Sequence, residues 1–224
     1  MIKTKEELRS YIKADLVSQG LGWGKPSVTE KMMAYFVPRP WKFQVLLRKA
    51  EFWNNSSSSI IRKTMGTISK LRYLRYGIKC GFTIPLNVFG PGLCLAHTGT
   101  IIVNGGARFG SNARVHACVN VGSFSKYDTN WTAGKAPTFG DNVYLGPGAK
   151  IFGDITIGDN VAIGANAVIS KDVPEHVTVV SANKIVNQDG SVDMLLYGDT
   201  SKIPLDSYVC VHNHSTLEES KVTH

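Results

Sequence analysis

The sequence predicts a mainly β protein with an α-helical start: a parallel β-solenoid of three-sided coils, preceded by an N-terminal helical segment. Three observations predict it. Aliphatic or aromatic residues recur six apart at Val103, Phe109, Val115 and Val121, and again at Phe139, Leu145, Ile151, Ile157, Ile163 and Ile169. Glycine often follows, as at Gly110, Gly122, Gly140, Gly146, Gly158 and Gly164. Phe89 and Leu95 carry the same register upstream. A period of six matches neither an amphipathic helix nor a long alternating strand. It matches coils of three short strands, each placing one side chain inward and each followed by a turn.

Residues 1–80 read as helices. Leu8, Ile12 and Leu16 lie four apart behind Thr4-Lys5-Glu6-Glu7, a threonine with a glutamate three residues on, which is a capping-box pattern. A glycine-rich break from Gly20 to Ser27 precedes a second helix expected over Val28–Phe36, stopped by Pro38 and Pro40. Trp41–Trp53 reads as a basic, aromatic helix. The favoured reading packs its aromatic side on a neighbour with its charges solvated; the alternative lays Pro40–Lys49 on a membrane surface. Ile61, Met65, Ile68, Leu71, Leu74 and Ile78 form an apolar stripe at helical spacing. A helical group of this kind would cap the open end of a solenoid, whose edge backbone otherwise seeks partners. Residues 81–180 hold the solenoid, with Lys171–His176 as its exit. Residues 181–224 form a C-terminal extension or tail, with a turn signal at Asn187-Gln188-Asp189-Gly190.

Composition narrows the class. The net charge of +8 divides into +11 over residues 1–80 and −3 over the rest, so basicity belongs to the helical part. That balance admits peripheral contact with an anionic membrane face, but no nucleic-acid motif accompanies it. No stretch is long and apolar enough for a membrane span, and the N-terminus lacks the apolar core of a signal peptide. Cys80, Cys94, Cys118 and Cys210 show no paired spacing, and the two inside the repeat walls read as small buried thiols. A reduced, cytoplasmic protein is expected.

The register breaks twice. Eight residues separate Leu95 from Val103, so two extra residues enter the wall at Ala96-His97-Thr98-Gly99-Thr100. From about Ser123 to Thr138 the repeat gives way to a polar, aromatic stretch that includes Asp128 and Trp131. Such departures mark loops that bind something.

The residues around these breaks carry a resemblance. Leu95–Val103, Val119-Asn120-Val121-Gly122 and Asp141–Gly153 are similar to the serine acetyltransferase branch of the hexapeptide-repeat acyltransferases, over roughly residues 80–180. The resemblance implies a left-handed parallel β-helix, a homotrimer, and acetyl-CoA as co-substrate with no permanently bound cofactor. It makes His97 the general base that takes a proton from the acceptor hydroxyl, a role in which a neutral imidazole contributes about 10²–10⁴-fold. The same resemblance places Gly122 and Ser123 near the thioester carbonyl, where an N–H would stabilise the oxyanion. It also sets Gly146-Pro147 and Gly164-Ala165 along the pantetheine arm; turn requirement alone also accounts for these glycines. Lys150 and Lys171 are candidates for the nucleotide phosphates. Ser181-Ala182-Asn183-Lys184 departs from the family's closing Gly-x-Pro-Ala.

Other departures bear on the acceptor. Phe82 and Ala96 stand where the family carries aspartates, and Lys135-Ala136-Pro137 replaces an Arg-His-Pro run. An apolar pair cannot match an ammonium, so the expected acceptor is a neutral hydroxyl, such as a sugar of a capsular or exopolysaccharide unit. Phe82, Ala96, Asp128 and Trp131 are the candidate acceptor contacts. His116, about one coil from His97, is a second catalytic or substrate-binding candidate, and Asp128 an alternative orienter of the base. The competing reading in the same class is serine O-acetylation. A remote one is a zinc enzyme of the γ-type carbonic anhydrase kind, which would need three converging imidazoles where only His97 and His116 lie in the right region. The sequence reading therefore assigns no metal site.

Overall fold

A computed structural model describes residues 1–20, 39–56, 60–123, 136–181 and 208–212, the stretches 60–62 and 208–212 as backbone. The expected helix Val28–Phe36, the loop with Asp128 and Trp131, and the turn at Asn187–Gly190 lie outside the described residues.

Helix α1 spans Lys5–Ser18. Thr4 accepts the Glu7 N–H while the Glu7 carboxylate accepts from the Thr4 N–H, so the capping box forms as its spacing requires. The Lys3 N–H, which also donates to this carboxylate, and then the Thr4 N–H hold the Glu7 carboxyl below its ordinary range. Helix α2 spans Pro40–Asn55, with Pro40 at its first turn, and α3 spans Ile60–Cys80.

The described residues then form fourteen short strands, the last an antiparallel addition to the solenoid: β1 Phe82–Thr83, β2 Cys94–Leu95, β3 Ile101–Val103, β4 Arg108–Phe109, β5 Arg114–Val115, β6 Asn120–Gly122, β7 Thr138–Phe139, β8 Tyr144–Leu145, β9 Lys150–Phe152, β10 Thr156–Ile157, β11 Ala162–Ile163, β12 Val168–Ile169, β13 Val177–Ser181 and β14 Tyr208–His212. They make three walls, ordered β1-β3-β6-β9-β12, β4-β7-β10, and β2-β5-β8-β11-β13-β14. All pairings are parallel except β13 with β14. All twelve register residues, from Phe89 to Ile169, are buried. On one wall Phe89, Phe109 and Phe139 stack with ring centroids 4.3 and 3.9 Å apart. At the turns leading out of that wall, Asn112, Asn142 and Asn160 adopt φ of 57–60° and pass side-chain hydrogen bonds from coil to coil. Asparagine, whose short polar side chain can bond locally, enters that left-handed conformation more readily than most residues with a side chain.

The helices close the first coil, as the sequence suggested, but through a buried polar cluster. Arg48 spends all five N–H donors: on both Asp15 oxygens, on Glu51, and on the carbonyls of Phe89 and Gly90. Asp15 also accepts from the N–H groups of Gly92 and Leu93, and Glu51 from that of Asn87. Gln44 donates to the Leu93 carbonyl and accepts from Gln19, which also reaches the Leu95 carbonyl. Backbone groups with no earlier coil to pair with find side chains instead. Burial opposes the Arg48 charge, but Glu51 and Asp15 outweigh it and hold the guanidinium pKa above its ordinary value.

Three expectations are corrected here. Arg48 is not solvated; it is the most deeply engaged side chain of α2. The stripe Met65, Ile68, Leu71, Leu74 and Ile78 of α3 is exposed, while Tyr73, Gly77 and Cys80 face inward. Inward packing is set by contact with the solenoid: the Tyr73 hydroxyl donates to the Ile84 carbonyl, and a side chain at Gly77 would meet the Phe82 carbonyl and the Phe43 ring. Burial and then Glu51 push the Tyr73 pKa up to about 12. Finally, Cys118 is exposed, whereas Cys80 and Cys94 are buried; burial lifts the Cys80 thiol to about 11 and raises that of Cys94.

Candidate active site

Strand β2 pairs with β5 so that Leu95 faces Val115, and β5 with β8 so that Val115 faces Leu145. The residues after these inward positions, Ala96, His116, Gly146 and Gly164, therefore line up along one edge of the prism, each N–H bonded to the next coil's carbonyl at 2.7–3.0 Å. The two inserted residues bulge from this edge between β2 and β3, and His97 sits in the bulge, exposed.

The bulge brings His97 onto His116, with ring centroids 5.7 Å apart, and His116 lies 5.1 Å from the ring of Tyr144. Tyr144 and Arg114 share the outer face of the same wall, cross-strand neighbours in the β5–β8 register. Nε2 of His116 is buried and has no hydrogen-bond partner among the described residues. Burial, then the Arg114 guanidinium, then His97 hold the His116 pKa below 6.5, so its imidazole stays neutral to lower pH than usual. An exposed imidazole thus stands beside a neutral, partly buried one, an arrangement chemically able to exchange a proton with a bound group. Tyr144 and Arg114 were not singled out in the sequence. The signal was available, since both share the outward parity of His116 in adjacent strands.

Other candidates fall in different places. Gly146-Pro147 and Gly164-Ala165 share the histidine edge. A Cβ at Gly146 would lie 2.8 Å from the Ala165 nitrogen and the Ile163 carbonyl oxygen, so coil stacking alone demands glycine. Gly164 is less constrained, its nearest contact being 3.2 Å to the Val179 carbonyl. Gly122 and Ser123 stand on the next edge, after β6; a Cβ at Gly122 would strike the Phe152 ring at 2.6 Å, and Ser123 accepts from Asn104. Lys150 returns to the histidine edge, where its ammonium donates to the carbonyls of Cys118 and Gly148 at 2.6 and 3.0 Å. That engagement competes with the phosphate role expected for it.

Phe82 is not placed as an acceptor contact. It pairs with Ile101 in the β1–β3 register, points inward, and meets the edge of Phe43 with centroids 5.0 Å apart. The inward parity of a strand residue overrides its spacing from His97. Ala96 does lie on the histidine edge, half-buried. Among the described residues no group of three or more His, Cys, Asp or Glu is placed to hold a metal ion.

The family described as bacterial transferase hexapeptide (six repeats) matches residues 136–171. A serine acetyltransferase of Buchnera aphidicola subsp. Acyrthosiphon pisum is 33% identical over 123 residues, covering 53% of this chain and 44% of the relative. One from Staphylococcus xylosus is 39% identical over 103 residues, 45% of each chain. The chain thus spans about half the length of the curated relatives it matches. Among solved structures, a serine acetyltransferase from Brucella abortus strain S19 in complex with coenzyme A superposes with TM-score 0.60 at 22% identity, covering 82% of this chain and 69% of that one. The soybean apoenzyme superposes with TM-score 0.59 at 24% identity, covering 79% and 67%. The solenoid has the left-handed parallel β-helix fold of these solved structures. The relatives and solved structures to which it is similar carry the name serine acetyltransferase.

Proposed function

We propose that this protein is an acetyl-CoA-dependent O-acetyltransferase in which His97 is the general base. The observation that carries the reading is the His97–His116 pair on one prism edge, raised there by the two-residue insertion. His97 takes the acceptor hydroxyl's proton as the oxygen attacks the thioester carbonyl. The tetrahedral adduct collapses with cleavage of the C–S bond, and the departing CoA thiolate receives the proton from His97. His116, neutral and partly buried beside it, is placed to position the base. Gly122 and Ser123 lie on the neighbouring edge, so an N–H there reaches the same thioester only from a second copy of the chain. This supports a site between subunits of a homotrimer.

For the acceptor, the names of the relatives favour L-serine over the sugar hydroxyl that the sequence suggested. Arg114, exposed and without an ion-pair partner among the described residues, is a cation suited to a carboxylate. A sugar is the second reading. It rests on the apolar Ala96 beside His97, which cannot pair an ammonium.

Thiol release from acetyl-CoA, with wild type and His97→Ala, across L-serine and a panel of sugars, tests both. Turnover that falls by roughly 10²-fold or more in the variant supports His97 as base. Activity that survives in the variant rejects it, and the acceptor that turns over decides between serine and sugar.

A further inference from the structure

Helix α3 carries a second apolar face that nothing in the described structure covers. Tyr73, Gly77 and Cys80 pack inward, while Leu71, Leu74 and Ile78 form a line at i, i+3 and i+7 on the opposite side, 55%, 44% and 80% exposed. Scattered exposed aliphatics are ordinary, but a contiguous line along a helix marks a contact surface. Cations border it on both sides: Lys63 and Lys70 on one flank, Arg72, Arg75 and Lys79 on the other, all exposed. The helix sequence contains no Asp or Glu. Ile68 leads round to an open groove of about 440 Å³ between α1, α2 and α3, where Lys5, Arg9, Lys49 and Arg72 surround an apolar floor that includes Leu46 and Trp53.

We propose that this face of α3 seats the protein on an anionic lipid bilayer. Aliphatic side chains along the centre of a helix, with lysines and arginines on both flanks, are the arrangement of a helix lying in the bilayer interface. The flanking stems extend along the apolar surface while their charges reach the headgroups. Charge selects the occupant. A second copy docking α3 on α3 would bring two acid-free, cationic helices together. Nucleic acid would satisfy the cations and leave the aliphatic line in water. Anionic lipid satisfies both. The placement is independent of the histidine edge and does not rest on the acceptor's identity.

The test is co-sedimentation of the full chain with phosphatidylcholine vesicles, with and without phosphatidylserine, at low and high salt. Three proteins are compared: wild type, Leu71→Ser/Leu74→Ser/Ile78→Ser, and Lys70→Ala/Arg75→Ala. All changes are on exposed side chains, and unchanged circular dichroism verifies folding. Wild type is expected to bind only the phosphatidylserine vesicles and to be released by salt. The triple variant is expected to stay in the supernatant, and the double variant to partition about 30-fold more weakly. Wild type that fails to bind, or variants that bind as well as wild type, overturns the proposal. So does a triple variant whose mass by light scattering falls below that of wild type, which would make this face an interface between copies.

Discussion

Replacing Arg48 by alanine removes the centre of the polar cluster that joins the helices to the first coil. Arg48, Asp15 and Glu51 are 0%, 0% and 1% exposed, so the cluster is shielded from bulk solvent. Asp15 keeps the N–H groups of Gly92 and Leu93, and Glu51 keeps that of Asn87, but both carboxylates lose their counter-charge. The carbonyls of Phe89 and Gly90 lose a donor as well. Breaking a buried charge network by removing one partner costs about 3–5 kcal/mol. For a chain of this size each kcal/mol lowers Tm by about 2–4 °C, so a fall of about 6–20 °C is expected. Far-UV circular dichroism melts at fixed protein concentration measure it, since assembly also moves Tm. A neutral cluster, Asp15→Asn/Arg48→Met/Glu51→Gln, should regain part of the loss, because apolar and neutral replacements of a buried ion network are often tolerated. An Arg48→Ala protein within about 2 °C of wild type would refute the reasoning. A triple variant no better than the single one would show that the lost donors to the Phe89 and Gly90 carbonyls, not unpaired charge, carried the effect.

Two further predictions concern the histidine edge. Since His116 is held below 6.5 in the fold, the unfolded chain binds its proton at higher pH than the native one. Its contribution to stability is therefore complete above that ordinary value and is lost as pH falls through it toward the depressed folded value. His116→Asn should shrink the difference in Tm between about pH 7.5 and about pH 5.5, and an unchanged difference would remove His116 as the cause. For Lys150→Met, two charge-assisted hydrogen bonds to the carbonyls of Cys118 and Gly148 disappear. Tm should fall by a few degrees while KM for acetyl-CoA moves by less than about threefold; a rise of tenfold or more would mean that the ammonium leaves these carbonyls for the phosphates.

Much of the fold was legible because its information is local and periodic. A six-residue register fixes which side chain points inward wherever the pattern holds, and Val103 to Ile169 all obey it. The capping box at Thr4–Glu7 was readable for the same reason, with donor and acceptor within one turn. His97 was legible as an irregularity against a regular background. What was missed depends on contacts between distant segments. Arg48 read as a solvated charge because its partners, Asp15, Glu51 and the carbonyls of Phe89 and Gly90, converge only when helices meet the coil edge. Phe82 was placed by counting back from His97, but its role follows from which wall it joins and from Phe43 waiting inside.

The sequence by itself thus determined the three-walled solenoid, its helical start, its two breaks and the histidine raised in the first. Only the tertiary structure decided which face of α3 is covered, that Arg48 closes the first coil, and that His116, between His97 and Tyr144, carries a buried nitrogen with no partner among the described residues. The reason is physical. Repeat periodicity encodes one side chain's direction relative to its own strand, whereas burial of a charge or an imidazole depends on what other segments bring to it.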